Sequence, residues 1–355
     1  MPVLDLTHAR GRCRIHLERG LLGKTGAWQE HLSGTVLIVT DRTVAGHYLH
    51  RLMKTTAAFA PTELILPPGE QAKTREHWHA IVEKLAEIGA QRDATVVALG
   101  GGVIGDLAGF AAATYMRGIR VVQVPTTLLA QVDAAIGGKT GFNLAAGKNL
   151  VGAFHQPEAV MVDVETLATL DQRDFLAGLA EVVKYGAIRD IDFIAWLERN
   201  FNGLLQRRAD VLEIAVARAA AHKIEVVEAD EREAGQRALL NFGHTFGHAI
   251  ETATGYRRYR HGEAVAIGMH LAAALSARLG MISGHQARRL SDLLDTFGLP
   301  VSLPHDIQPE SLLDHMRLDK KNRAGRIRLI LLEALGAGIV REDIEPNTLL
   351  EFLKT

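Results

Sequence analysis

Residues 95–106, TVVALGGGVIGD, constrain this chain more than any other segment. A run of β-branched and aliphatic residues ends in glycines arranged G-x-G-x-x-G, and a helical pattern follows at once. That order is a strand, a tight turn and a helix N-terminus, in which glycines let backbone approach a ligand and free amides attract an anion. The same alternation recurs around it. Residues 36–40 (VLIVT), 63–66 (ELIL) and 120–124 (RVVQV) read as further strands, and 43–55 and 74–88 as helices. Strands alternating with helices predict a parallel sheet with right-handed crossovers.

From residue 172 to about 297 the pattern becomes helical, with segments at 175–188, 193–199, 209–228, 240–253, 263–279 and 285–297; 326–332 reads as a returning strand. A chain of 355 residues is too long for one comfortable core. The expected architecture is an α/β N-terminal nucleotide-binding domain with a parallel sheet, residues 1–168, and a mainly α-helical metal- and substrate-binding domain, residues 169–355.

Composition narrows the partners. A net charge of −1 argues against nucleic acid. With Cys13 as the single cysteine, no internal disulfide and no thiolate metal site can form. No apolar run reaches the roughly 20 residues of a membrane span, and the first residues lack a signal-peptide core. The chain reads as cytoplasmic.

The glycine loop departs from the usual dinucleotide fingerprint, because it follows the third of these strands and the strand-end carboxylate, Asp41, comes earlier. Asp41 suits a ribose hydroxyl or a helix N-cap equally. Two other strand ends, 68–73 (PGEQAK) and 125–127 (PTT), also offer anion-binding groups. The stretch 131–149 holds Asp133, Lys139 and Lys148 among glycines, which suits a phosphate or carboxylate. Its Gly-Lys-Thr is not a P-loop, since Asp133 stands where that motif needs glycine.

Residues 241–251, NFGHTFGHAIE, place His244, His248 and Glu251 on one helical face. His261 opens the next helix, and Glu181 and Lys184 lie one turn apart upstream. Histidine with carboxylate and no cysteine suggests a catalytic zinc site with an open position. Spacing alone leaves the three ligands undecided, His244 with His248 being the simplest pair. His222, His270 and His285 show no partner pattern.

Seven segments in order, GGGVIGDLAGFAAATYMRG (100–118), QVPTTLLAQVDAAIGGKTGFN (123–143), GKNLVGAF (147–154), AEVVKYG (180–186), ALLNFGHTFGHAIE (238–251), HGEAVAIGM (261–269) and DKKNRAG (319–325), resemble the 3-dehydroquinate synthases of the sugar-phosphate cyclase group. The resemblance runs from about residue 36 to 340. It implies a shikimate-pathway lyase that converts 3-deoxy-D-arabino-heptulosonate 7-phosphate (DAHP) to 3-dehydroquinate, with NAD and Zn2+ (or Co2+) as cofactors. Oxidation of a ring hydroxyl, β-elimination of phosphate, re-reduction, ring opening and aldol closure follow in turn, and NAD is regenerated.

By matching positions, the resemblance implies Glu181, His244 and His261 as metal ligands, in place of the His244/His248 pair. It implies Lys139, His248, Lys184, Asp133 and Asn241 as catalytic residues. Arg117, Lys148, Asn149, Lys223, Arg237 and Lys320 or Lys321 would bind substrate, Arg117 from the other subunit of a homodimer. The nucleotide side comprises Asp41, Gly69, Glu70, Lys73, Gly101, Gly102, Val103, Gly105, Asp106, Thr126, Thr127, Thr166, Leu167 and Thr169, with Lys139 and Lys148. One departure stands out: Ala134-Ala135 replace the family's usual Ser-Ser, so two hydroxyls are missing. Rival readings are a cyclase acting on a substrate without the carboxylate, a metal-dependent polyol dehydrogenase, and an inactive NAD-binding scaffold.

Overall fold

The computed structural model describes residues 3–9, 11–233, 235–317 and 326–354. It resolves into two compact units. The first comprises Met1–Leu170 with Arg207–Arg232, and the second Asp171–Gln206 with Glu233–Thr355. The sequence expectation drew one boundary at 168/169; the units divide at 170/171 and return the helix Ala209–Ala229 to the first.

The first unit is built on a seven-stranded sheet. Its strands are β1 (Val3–His8), β2 (Gly11–Leu17), β3 (Val36–Asp41), β4 (Thr62–Leu66), β5 (Thr95–Gly100), β6 (Arg120–Pro125) and β9 (Ala159–Val162), in the order β1-β2-β9-β6-β5-β3-β4. All neighbours pair in parallel except the edge hairpin β1–β2. The central strands are apolar at successive positions because both faces are covered. Leu37, Val39, Val96, Ala98 and Val121 enter one core, while Val36, Ile38, Val97, Leu99, Val122 and Val124 enter the other. Alternate side chains of a strand point to opposite faces, so a period of two feeds two cores.

The register aligns the ends of the strands. Asp41 sits opposite Leu66, Thr40 opposite Leu99 and Gly100 opposite Pro125. The carboxyl ends of β4, β3, β5, β6 and β9 therefore form one edge, and the loops leaving them are neighbours. Open α/β sheets bind ligands at this edge.

Three features differ from the sequence expectation. β1 and β2 precede the first predicted strand, so the glycine loop follows the fifth strand of the chain. Strand β9 is also added. Lys139 and Lys148, in a glycine-rich stretch with no strand expected, stand in a hairpin, β7 (Lys139–Leu144) with β8 (Gly147–Phe154). The hairpin is close because Gly141 faces Gly152: a Cβ on Gly152 would stand 2.1 Å from the Thr140 carbonyl oxygen.

The second unit is helical, with Gln172–Arg189, Ile191–Leu205, His244–Ala253, His261–Arg278, Gly284–Thr296, Pro309–Arg317 and Pro346–Leu353, plus one hairpin, β10 (Leu329–Ala334) with β11 (Ala337–Arg341). The helix expected from residue 240 begins only at His244, because Gly243 adopts φ 77° and Gln236–Asn241 form a 3-10 turn. Its helices approach backbone to backbone. A Cβ on Gly262 would lie 1.9 Å from the carbonyl oxygen of Ala177, and one on Gly268 1.9 Å from that of Gly243. Glycine is required at both positions by space.

Candidate active site

In the first unit, the residues expected on the nucleotide side lie largely on the segments that leave the carboxyl ends of the strands. The helix Gly102–Thr114 starts at Gly101 without a side-chain cap, so its first amides remain available to an anion. Val103 lies in its first turn. Gly105 has a packing role: a Cβ there would lie 2.7 Å from Gln123 Oε1. Thr126 donates its backbone N–H to the Gly100 carbonyl oxygen (3.0 Å), and the Thr127 hydroxyl caps Ala130 N (3.2 Å). Asp41 caps its helix, Oδ1 accepting from Thr43 N (2.8 Å) and Val44 N (3.0 Å). Both bonds fall on Oδ1, which leaves Oδ2 for a donor such as a hydroxyl.

Lys73, buried, forms an ion pair with Asp106. Burial pushes the Asp106 carboxyl above the usual carboxylate range, and Lys73 pulls it back. Asn143 ties the hairpin to the Gly69–Lys73 loop, donating to Glu70 Oε1 (2.8 Å) and, from its backbone, to the Lys73 carbonyl oxygen (2.9 Å). Asn149 donates its backbone N–H to Asn143 Oδ1 (2.9 Å). The 3-10 turn Val164–Thr169 is held at several points. Gln131 donates to Thr166 Oγ1 (3.1 Å), Tyr48 pairs with Thr169 Oγ1 (2.6 Å), and Arg207 donates to the Leu167 carbonyl oxygen (2.8 Å).

The predicted substrate residues of this unit fall into groups. Lys223, buried, donates to Asp133 Oδ1 (2.6 Å), joining the helix Ala209–Ala229 to the π-turn Ala130–Ala134. Ala134, the departure from the family pattern, packs against the glycine loop: a Cβ on Gly102 would stand 3.2 Å from its own. Lys139 and Lys148 project from the hairpin. Arg117 is exposed on a strained turn, where Met116 and Arg117 both take positive φ (46° and 67°).

The second unit holds the metal-type cluster. Glu181 is fully buried on the helix Gln172–Arg189, with Lys184 one turn on and paired to it. Apart from that ion pair, neither Glu181 oxygen accepts a hydrogen bond among the described residues. His244 Nε2 lies 3.6 Å and His261 Nε2 3.8 Å from Glu181 Oε1. The other ring nitrogens are occupied. His244 Nδ1 bonds the Phe242 carbonyl oxygen (3.1 Å), and His261 Nδ1 bonds Glu251 Oε2 (3.1 Å). These acceptors place the protons on Nδ1 and turn both Nε2 lone pairs towards Glu181.

Glu181, His244 and His261 can thus present one carboxylate oxygen and two imidazole nitrogens to one cation, and Glu181 Oε1, buried and turned to the two imidazoles while Lys184 pairs with Oε2, suits that occupant. His248, Glu251 and His261 form an overlapping group. Because Glu251 already accepts from Nδ1 of His261, it is better placed to orient that histidine than to ligate. Sequence spacing put Glu251 on the His244/His248 face but could not show this contact, made across two helices. The ring of His248 stands 5.5 Å from that of His244 and 5.9 Å from that of His261.

Asn241 donates to Glu233 Oε1 (2.9 Å), and Arg237 is buried in the same 3-10 turn. Lys320 and Lys321 lie outside the described residues. His270, expected to be ordinary, bonds Ser291 Oγ (2.7 Å) between two helices.

Family models described as 3-dehydroquinate synthase N-terminal and 3-dehydroquinate synthase C-terminal match residues 63–177 and 178–322. A relative from Nitrosococcus oceani named 3-dehydroquinate synthase is 49% identical over 336 residues, 94% of each chain. Among solved structures, 2-epi-5-epi-valiolone synthase from Streptomyces hygroscopicus subsp. jinggangensis, with NAD+ and Zn2+ bound, is 29% identical (TM-score 0.89, covering 100% of this chain and 98% of that one). A 2-deoxy-scyllo-inosose synthase complexed with carbaglucose-6-phosphate, NAD+ and Co2+ is 26% identical (TM-score 0.89, covering 99% of both).

Proposed function

Because the chain belongs to the 3-dehydroquinate synthase family, we propose that it converts DAHP to 3-dehydroquinate and phosphate with NAD and a divalent ion, Zn2+ or Co2+. The observation that carries the metal half of this reading is the convergence of two Nε2 atoms on the buried Oε1 of Glu181, whose Oε2 pairs with Lys184. Glu181, His244 and His261 would hold the ion. When bound, the ion supplies a Lewis acid at the hydroxyl being oxidised, and NAD supplies the hydride acceptor.

The chain's own residues do the remaining work. The uncapped amides after Gly101 and the Lys73–Asp106 pair bind and orient the nucleotide, with Asp41 Oδ2 taking a ribose hydroxyl. Gly69, Glu70, Gly102, Val103, Thr126, Thr127, Thr166, Leu167 and Thr169 complete that side. Lys139, Lys148, Asn149, Lys184, Lys223, Arg237 and Asn241 bind the carboxylate and phosphate of the substrate, where cationic and amide donors are strongest. Asp133 holds the Lys223 ammonium in place. His248, beside the ligand set without belonging to it, is the group that takes and returns a proton at an imidazole nitrogen. The resemblance also carries a homodimer to which Arg117 contributes across subunits, and a cytoplasmic location. Among the described residues, no helix is long and apolar enough to cross a membrane.

A substrate panel tests this reading. DAHP should be turned over, whereas a seven-carbon sugar phosphate without the carboxylate should not. Turnover of the latter alone would reassign the chain to a carboxylate-independent cyclase.

A further inference from the structure

A second histidine–carboxylate group lies in the first unit. Strand β2 leaves Arg14 and His16 half-buried on one face while Cys13, Ile15 and Leu17 enter the core, as alternation dictates. The turn that follows Trp28 is anchored by that fully buried indole, and the Trp28 carbonyl oxygen accepts from His31 N (3.1 Å) and Leu32 N (3.2 Å). The turn therefore projects Glu30 and His31 at the face that carries His16. His16 Nε2 and His31 Nε2 stand 2.8 Å apart, and Glu30 Oε1 is 3.4 Å from His31 Nε2. Arg14 engages the other carboxylate oxygen, Oε2, at 2.6 Å, which leaves Oε1 directed at the imidazoles.

We propose that His16, Glu30 and His31 form a second divalent-metal site, for an imidazole-preferring ion of the zinc type, separate from the Glu181 centre. The three donors lie within 4.8 Å of one another. Metal–nitrogen bonds near 2.0–2.1 Å in a tetrahedron put neighbouring donor atoms roughly 3.3 Å apart. The Glu30–His31 separation already matches, and the two rings need to part by only about half an ångström. Two imidazoles and one carboxylate suit zinc, nickel or copper rather than magnesium or calcium. His31 has a side chain 3% exposed and Glu30 one 56% exposed, so the site is anchored on its inner side and open on its outer side to an entering ion. A fourth position is left to water. The ion would tie β2 to the turn after Trp28.

Tag-free, full-length protein is stripped with a chelator and dialysed against buffered zinc, and bound metal is counted by elemental analysis. The expected result is two ions per chain in the unsubstituted protein and one in His16→Asn, with helical circular dichroism and DAHP turnover unchanged. Glu181→Gln should also hold one. Glu30→Ala, an exposed substitution that leaves the fold intact, should lose the second ion at zinc concentrations that saturate the unsubstituted chain. One ion per chain in the unsubstituted protein overturns the proposal, as do two ions retained by His16→Asn. Either result would leave His16 and His31 as a hydrogen-bonded pair.

Discussion

Two groups that share no residue, Glu181 with His244 and His261 and Glu30 with His16 and His31, have the same donor inventory in very different settings. In the second unit, Glu181 is wholly buried, and His244 and His261 are locked by bonds at Nδ1. In the first, Glu30 is mostly exposed and shared with Arg14, and the two imidazoles touch each other. A buried carboxylate is costly unless cations satisfy it, and Lys184 reaches only one of the two Glu181 oxygens. An exposed one costs nothing when the ion is absent. The comparison teaches that residue types alone do not grade such groups; burial and the bonds behind the ligands do.

The largest effect expected from this contrast is at Glu181. Glu181→Gln should lower kcat/KM on DAHP roughly 10³-fold, since a Lewis acid contributes several kcal/mol at the transition state. It should also abolish binding of the first ion by elemental analysis, whereas Glu30→Gln leaves turnover within twofold. Equal losses from the two substitutions would erase the distinction.

The frame around the buried centre comes next. Gly262→Ala sets a methyl 1.9 Å from the Ala177 carbonyl oxygen, and should destabilise the chain by about 3 kcal/mol or more. Thermal unfolding measures it. A melting temperature within a degree of the parent would mean that these helices are not held at backbone distance.

A smaller effect is expected one bond behind the ligands. Glu251→Gln removes the charge that orients His261 and should weaken metal affinity about 10- to 100-fold, read by competition with a chromophoric chelator. Turnover at saturating zinc should recover more than in Glu181→Gln. No change in affinity would show that His261 is oriented by packing alone.

The smallest concerns Cys13, on the strand that bears His16. It is buried, and burial pushes its thiol far above the usual range. The folded protein should therefore show almost no reaction with an aromatic disulfide reagent at pH 8, and full reaction after denaturation. Rapid labelling of the folded chain would mean that β2 opens.

Legibility in the sequence followed the same physics. β3, β5 and β6 were readable because both faces are covered and each carries a run of successive apolar residues. β1 (VLDLTH) and β2 (GRCRIHL) were not, because they alternate at an edge and carry charges. Glycines hid the hairpin of Lys139 and Lys148: Gly141 and Gly152 weaken a strand pattern, yet they let these two strands approach. At the metal-type centre, periodicity favoured His244 with His248, which share a helix. The structure groups His244 with His261 and Glu181, from three helices, a set that only the resemblance had singled out. The orienting role of Glu251 and the His16–His31 contact depend on tertiary packing and left no mark on spacing. Of the two readings of Asp41 the structure shows the cap, made by Oδ1, and the ribose contact at Oδ2 belongs to the proposal.

The central claim is a cyclase that borrows NAD and returns it. The direct measurement mixes the zinc-loaded protein with DAHP and a catalytic amount of NAD, and follows phosphate, 3-dehydroquinate and absorbance of the reduced nucleotide together. Phosphate and dehydroquinate should appear in equal amounts with no net reduced nucleotide. Reduced nucleotide accumulating in step with substrate loss would contradict the account and make the chain a dehydrogenase.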